Sequence, residues 1–81
     1  MTERIRRVNE AIRAVISEAV PTLKDPRIGF VTVTGVVTTT DLEHATVYVS
    51  VLGSEKKLRA TLQGLQAAHG VLQARIGREL R

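Results

Sequence analysis

The side chains able to do chemistry in this 81-residue chain are few and mostly basic. Asp41, Glu43 and His44 cluster in one short stretch and offer the oxygen and nitrogen ligands that a divalent metal takes. Spacing alone supplies no fourth ligand. The surrounding TTTDLEH reads more simply as a polar turn in which Asp41 bonds its own backbone. Neither His44 nor His69 has a serine or cysteine motif beside it, and the chain has no cysteine at all. Phosphate-binding glycine loops of the GxGxxG or GxxxxGKS kind do not occur. The expectation is a non-enzyme with no metal and no cofactor.

Charge carries more information. Twelve Lys and Arg against eight Asp and Glu give a formal net charge of +4 and a pI near 10.4, the balance of a domain that meets polyanions. The basic residues fall into three groups: Arg4, Arg6, Arg7 and Arg13; Lys56, Lys57 and Arg59; Arg75, Arg78 and Arg81. Any one group is commonly a solvated helix face. Three of them on helices point to a surface that follows a phosphate backbone. The first group begins at a helix start, where positive charge sits mildly against the macrodipole, which hints that an external anion uses it. Between the second and third groups lies AAHG, residues 67–70. Gly70 there either ends a helix in a left-handed cap, lets two helices pack closely, or lets a phosphate approach a helix start.

The elements that position these groups follow from periodicity. Ile5, Val8, Ile12, Val15 and Ala19 step by three and four behind a capping Thr2, and Pro21 stops the pattern, so a helix is expected over about 3–20. Its polar face carries Arg4, Arg6, Arg7, Asn9, Glu10 and Arg13. PTLKDPRIGF is a connection. FVTVTGVVT and ATVYVSVL alternate as half-buried strands over about 30–38 and 45–52, joined as an antiparallel hairpin. Gly35 marks a bulge that moves the inward register from Val33 to Val36. Ser54 caps a helix over about 54–68 whose inner side is Leu58, Leu62 and Leu65. A last helix over about 70–81 resumes the stripe through Leu72, Ile76 and Leu80. The fold class is α+β, one domain over 1–81 with an aliphatic core: Val, Ile and Leu supply 24 residues, against single Phe and Tyr residues. The charged N-terminus lacks the apolar stretch of a signal peptide, so a cytoplasmic protein without membrane contact is expected.

Common nucleic-acid modules fit poorly by their own requirements. A sheet reader of the RRM kind needs several strand aromatics; here only Tyr48 projects opposite the valines, and Phe30 lies at a strand start. An OB barrel needs more strands. A helix-turn-helix wants a clearer break than AAHG offers and stays a minor alternative. The KH loop GxxG is absent. A generic nucleic-acid binder and a small protein-interaction or dimerisation module remain as alternatives.

The chain as a whole resembles the bacterial ribosome-binding factor A family. The resemblance runs through Arg7-Val8, the DPR of residues 25–27, VTVTGV at 31–36, TTDLEHATVYVSVLG at 39–53, AAHG, and LQARIGREL at 72–80. It implies a type II KH-like fold in which Ala68, His69 and Gly70 form an Ala-x-Gly kink in place of GxxG. It implies binding to the small (30S) ribosomal subunit and its 16S rRNA, help in late rRNA processing, and a role in the cold. Other assembly factors, a release GTPase among them, are implied as partners. RNA contacts would come from the kink and the basic residues Arg4, Arg6, Arg7, Arg13, Lys56, Lys57, Arg59, Arg75 and Arg78. The family pattern continues into a third strand with an RxxPxLxF-like segment, whereas this chain stops at Arg81. A monomer is expected, with an open sheet edge that favours association.

Overall fold

The computed structural model describes residues 2–80 and shows the order helix, strand, strand, helix, helix. Helix α1 spans Glu3–Ala19. The Thr2 hydroxyl accepts the Ile5 N–H at 3.2 Å, and a 3-10 turn over Val20–Thr22 takes Pro21 where an α-helix cannot continue. One face of α1 buries Ile5, Ile12, Val15, Ile16 and Ala19.

Strands β1 (Val31–Thr38) and β2 (Ala45–Val51) pair antiparallel. The ladder runs Val31↔Val51 to Val33↔Val49, then resumes at Gly35↔Tyr48 and Val36↔Val47. Thr34 is thus the extra residue of the bulge that Gly35 announces, and its hydroxyl donates to the Tyr48 carbonyl at 3.2 Å. The slip keeps Val31, Val33, Val36 and Thr38 on one face despite their uneven spacing. The turn is closed by Asp41, whose carboxylate accepts the Glu43 N–H at 3.0 Å and the Thr39 hydroxyl. Those bonds hold its carboxyl below the usual range, the Thr39 hydroxyl contributing most. No group of three metal-ligating side chains comes together among the described residues.

Helix α2 spans Glu55–Ala67 behind a Ser54 cap, and α3 spans His69–Glu79. Ile12, Ile16, Val20 and Val33 form the buried centre, with Val8, Ile28, Val36, Val47, Leu65, Leu72 and Ile76 packed around it. Between α1, β2 and the α2–α3 pair, Val8, Ile12, Ile16, Val47, Leu72 and Ile76 are among the side chains that line an open groove of about 790 Å³. No helix among the described residues is long and apolar enough to cross a membrane.

Two sequence expectations need correction. Asn9 does not sit on the solvent face of α1. It is half-buried and accepts the Thr38 hydroxyl, so a polar pair joins α1 to the end of β1. The leucine stripe of α2 is its inner side only in part: Leu65 packs on the core, whereas Leu58 and Leu62 stay 37% and 42% exposed. The buried residues of α2 are Thr61 and Gly64, and what they hold is the 25–29 connection. The Thr61 hydroxyl accepts the Gly29 N–H at 3.1 Å and donates to the Arg27 carbonyl at 3.4 Å. A Cβ at Gly64 would lie 2.6 Å from Ile28 Cγ1. A connecting segment brings backbone groups that need partners, and a small polar stripe meets that need where leucines would not.

Candidate nucleic-acid interface

The α2–α3 junction is a break of one residue. Ala68 adopts φ −89° and ψ 4°, its N–H reaching both the Gly64 and Leu65 carbonyls at 3.1 Å, and α3 starts at His69. No side chain caps α3, so its first amides are left to the surroundings.

Gly70 lies within α3, exposed, with no left-handed backbone and no atom within 4 Å of a would-be Cβ. Both internal explanations for it, a left-handed cap and close helix packing, are therefore removed. Gly77 is equally open. With Ala74 these residues follow helical spacing and make a shallow strip along the exposed side of α3, with Arg78 one residue past Gly77 and one turn from Ala74. Arg75 is half-buried and Arg78 exposed; Arg81 lies outside the described residues.

The structure divides the remaining basic residues. Arg4 and Arg7 line a shallow depression with Glu79 and Leu80, which brings the start of α1 against the end of α3. Arg4 also shares the rim of the apolar groove with His44 and His69. Arg6 is held by Glu3 at 2.6 Å and Glu10 at 2.8 Å, and Arg7 by Glu3 at 3.2 Å. The two arginines, Arg6 first, hold the Glu3 carboxyl below its usual range, and Glu3 in the first turn offsets the misplaced positive charge. Arg13 forms no ion pair among the described residues. Arg59 approaches Glu55 at 3.9 Å. Lys56 and Lys57 have no carboxylate partner among the described residues. The stem of Lys57 lies against Gly29 and Gly53, at the end of the hairpin opposite the turn that meets Arg4. The second basic group is thus separated from the other two by the length of the strands.

Sequence reasoning did not mark Arg27. Its guanidinium grips Asp25 at 2.6 Å and, with its backbone N–H, draws that carboxyl down to about 2. The DPR triplet is a clasp that shapes the connection, and Arg27 is correspondingly taken.

The same arrangement recurs in solved structures. A ribosome-binding factor A from Thermus thermophilus superposes with a TM-score of 0.82 at 26% identity, covering 95% of this chain and 82% of that one. The ribosome-binding factor A family model matches residues 4–81. The chain belongs to the ribosome-binding factor A family. Curated ribosome-binding factor A proteins from Geotalea uraniireducens and Geotalea daltonii are 50% and 46% identical over the whole of this chain. The chain spans 67% of each of those two relatives. A Thermotoga maritima protein solved by NMR superposes with a TM-score of 0.87 at 33% identity, covering 98% of this chain and 76% of that one. Membership identifies the chain as a ribosome-binding factor, whose match runs through the Ala68-His69-Gly70 junction and both helices beside it.

Proposed function

We propose that this protein is a non-enzymatic assembly factor of the cytoplasm that binds the small ribosomal subunit through its 16S rRNA and assists late rRNA maturation, with most effect in the cold. The observation that carries the reading is Gly70. A glycine within a helix costs about 1 kcal/mol relative to alanine, and nothing among the described residues lies close enough to use its lack of a side chain. A phosphate backbone arriving at the uncapped start of α3 would use it, since helix amides favour anions. Ala68, His69 and Gly70 form that approach. Arg75 and Arg78 flank the strip beyond it, and Arg4, Arg7 and Arg13 extend the positive surface along α1. Of the paired arginines, Arg7 does so by giving up Glu3, and Arg6 joins them only by giving up both Glu3 and Glu10. Lys56, Lys57 and Arg59 form a separate contact.

Co-sedimentation with purified small subunits across a salt series tests the reading. Contacts to phosphates make log affinity fall linearly and steeply with log salt. Binding that is indifferent to salt would assign the interaction to a protein surface and leave the basic faces as solubilising.

A further inference from the structure

We propose that the outer face of the β1–β2 hairpin is a second RNA surface, which stacks unpaired bases on Phe30 and Tyr48. The inference rests on the RNA-binding reading above and adds to it a class of RNA: single-stranded, with its bases turned out.

Phe30 and Tyr48 are the only aromatic residues of the chain, and they are 71% and 54% exposed. They share one face. The Leu52 N–H bonds the Phe30 carbonyl at 3.1 Å, so Phe30 continues the ladder one pair past Val31↔Val51. Strand alternation and the bulge then set Phe30, Leu52, Thr32, Ser50, Tyr48, Thr46 and Val37 outward. Tyr48 stands four residues from Leu52, about 13 Å along the strand at about 3.3 Å per residue.

The ring of Tyr48 has no use within the sheet. Its cross-strand neighbour is Gly35, and an aromatic ring commonly covers such a glycine. Here nothing lies within 4 Å of a Cβ built on Gly35, so the ring does not cover it. The bulge at Thr34 puts this side-chain-free position opposite Tyr48 and leaves the ring accessible.

The face itself bears no charge; beside the rings it carries apolar Leu52 and Val37 and the hydroxyls of Thr32, Thr46 and Ser50, which can meet base edges and ribose. Cations stand at one end. The Lys57 stem runs so close over Gly29 and Gly53 that a Cβ on either would meet it, at 2.6 Å and 3.2 Å. Those two glycines adjoin Phe30 and Leu52 in the chain, so the Lys57 stem lies at the same end of the hairpin as the exposed ring, on the side that faces α2. Lys56 and Lys57 pair with no carboxylate among the described residues, while Glu55 faces Arg59 and Asp25 is taken by Arg27. Exposed rings on the sheet and unpaired lysines at one end of it are the two parts that single-strand binders combine. A second copy of the chain suits the face less, because it would set two +4 molecules together over a surface with no charge to offset them.

The test is fluorescence anisotropy with a labelled mixed-sequence single-stranded RNA of about twelve nucleotides and a duplex RNA of the same length. Phe30→Leu and Tyr48→Leu keep apolar bulk and remove the π-face; Phe30→Trp keeps it. Each leucine variant is expected to bind the single strand at least about fivefold more weakly with duplex binding unchanged, and Phe30→Trp to bind as the parent does. Lys57→Gln should flatten the salt dependence. Thermal melts of all variants should match the parent, because the substituted side chains are exposed. Several results would overturn the proposal: no binding of the single strand by the parent, leucine variants that bind it normally, or equal losses on single strand and duplex. Leucine variants that lose only small-subunit binding would assign the face to a ribosomal protein and also overturn it. If the parent still co-sediments with subunits in a salt-dependent way, only this proposal has failed. If it does not, the RNA reading beneath has failed too.

Discussion

Replacing Gly70 by alanine should separate stability from binding. The substitution adds a methyl group at the second residue of α3, where no atom lies within 4 Å of the new Cβ and the backbone is not left-handed. It carries no steric penalty, and the helix propensity gained is about 1 kcal/mol at an interior position. Fraying of the first turn reduces that to about 0.5 kcal/mol. For a domain of this size such a gain raises the melting temperature by about 2–4 °C. Small-subunit binding should move the other way. If a phosphate approaches the α3 start closely, the methyl group disturbs a charge-assisted backbone contact, and affinity falls about tenfold or more.

Gly64→Ala is the internal control. It offers a similar propensity gain, yet its Cβ would lie 2.6 Å from Ile28 Cγ1 and 3.4 Å from Asp25 Cγ. Overpacking costs about 1–3 kcal/mol, so the net effect is destabilising. The two variants should shift the melt in opposite directions, read by circular dichroism, with co-sedimentation run on the same samples. A Gly70→Ala protein that melts lower than the parent would refute the structural premise. One that melts higher and binds as tightly as the parent would leave the kink with the sole task of aiming Arg75 and Arg78.

Three further outcomes are expected. Thr61→Val should lower stability by about 1–3 kcal/mol in urea unfolding, because the Gly29 N–H and Arg27 carbonyl lose their buried partner, while Thr61→Ser should retain most of it. Asp25 has its folded carboxyl drawn from 3.8 to about 2, so its contribution is complete above about pH 4 and lost as pH falls towards 2; Asp25→Asn should be less stable at neutral pH and show a shallower acid decline in pH-dependent melts. Reversing charge at Arg75 and Arg78 together should weaken subunit binding and leave the fold intact, with the salt slope of co-sedimentation reduced by about 2 if both meet phosphates.

The parts of the fold legible in the sequence are those written in period and in turn chemistry. Ile5, Ile12 and Ile16 announce α1 at a spacing no strand could use, and Gly35 announces the bulge between Val33 and Val36. What escaped has no period. Thr61 and Gly64 look like polar and flexible positions on a leucine-striped helix, yet they are its buried face, because the segment they grip presents backbone groups and an isoleucine that need a small, hydrogen-bonding surface. Asn9 escaped for the same reason: it is polar by type and half-buried through a partner 29 residues away. Phe30 reads as a strand start until the Leu52 N–H extends the ladder to it and places it on the face of Tyr48.

The glycines of the two last helices show where sequence reasoning stops and what takes over. Gly64, Gly70 and Gly77 carry the same propensity penalty, and nothing in the chain's composition ranks them. Their surroundings do. Gly64 is filled by Ile28 and serves the fold, whereas Gly70 and Gly77 are open on the exposed side of α3, with none of the described residues packed over them. Stability alone does not remove such glycines from natural chains, so what singles these two out is their place: both lie open on one strip beside Ala74 and Arg78, where a demand for close approach from outside the molecule would be met. Gly77→Ala extends the test: if that demand runs along the strip rather than ending at the kink, Gly77→Ala will also raise the melt and weaken subunit binding. If only Gly70→Ala weakens binding, the RNA meets α3 at its first turn alone.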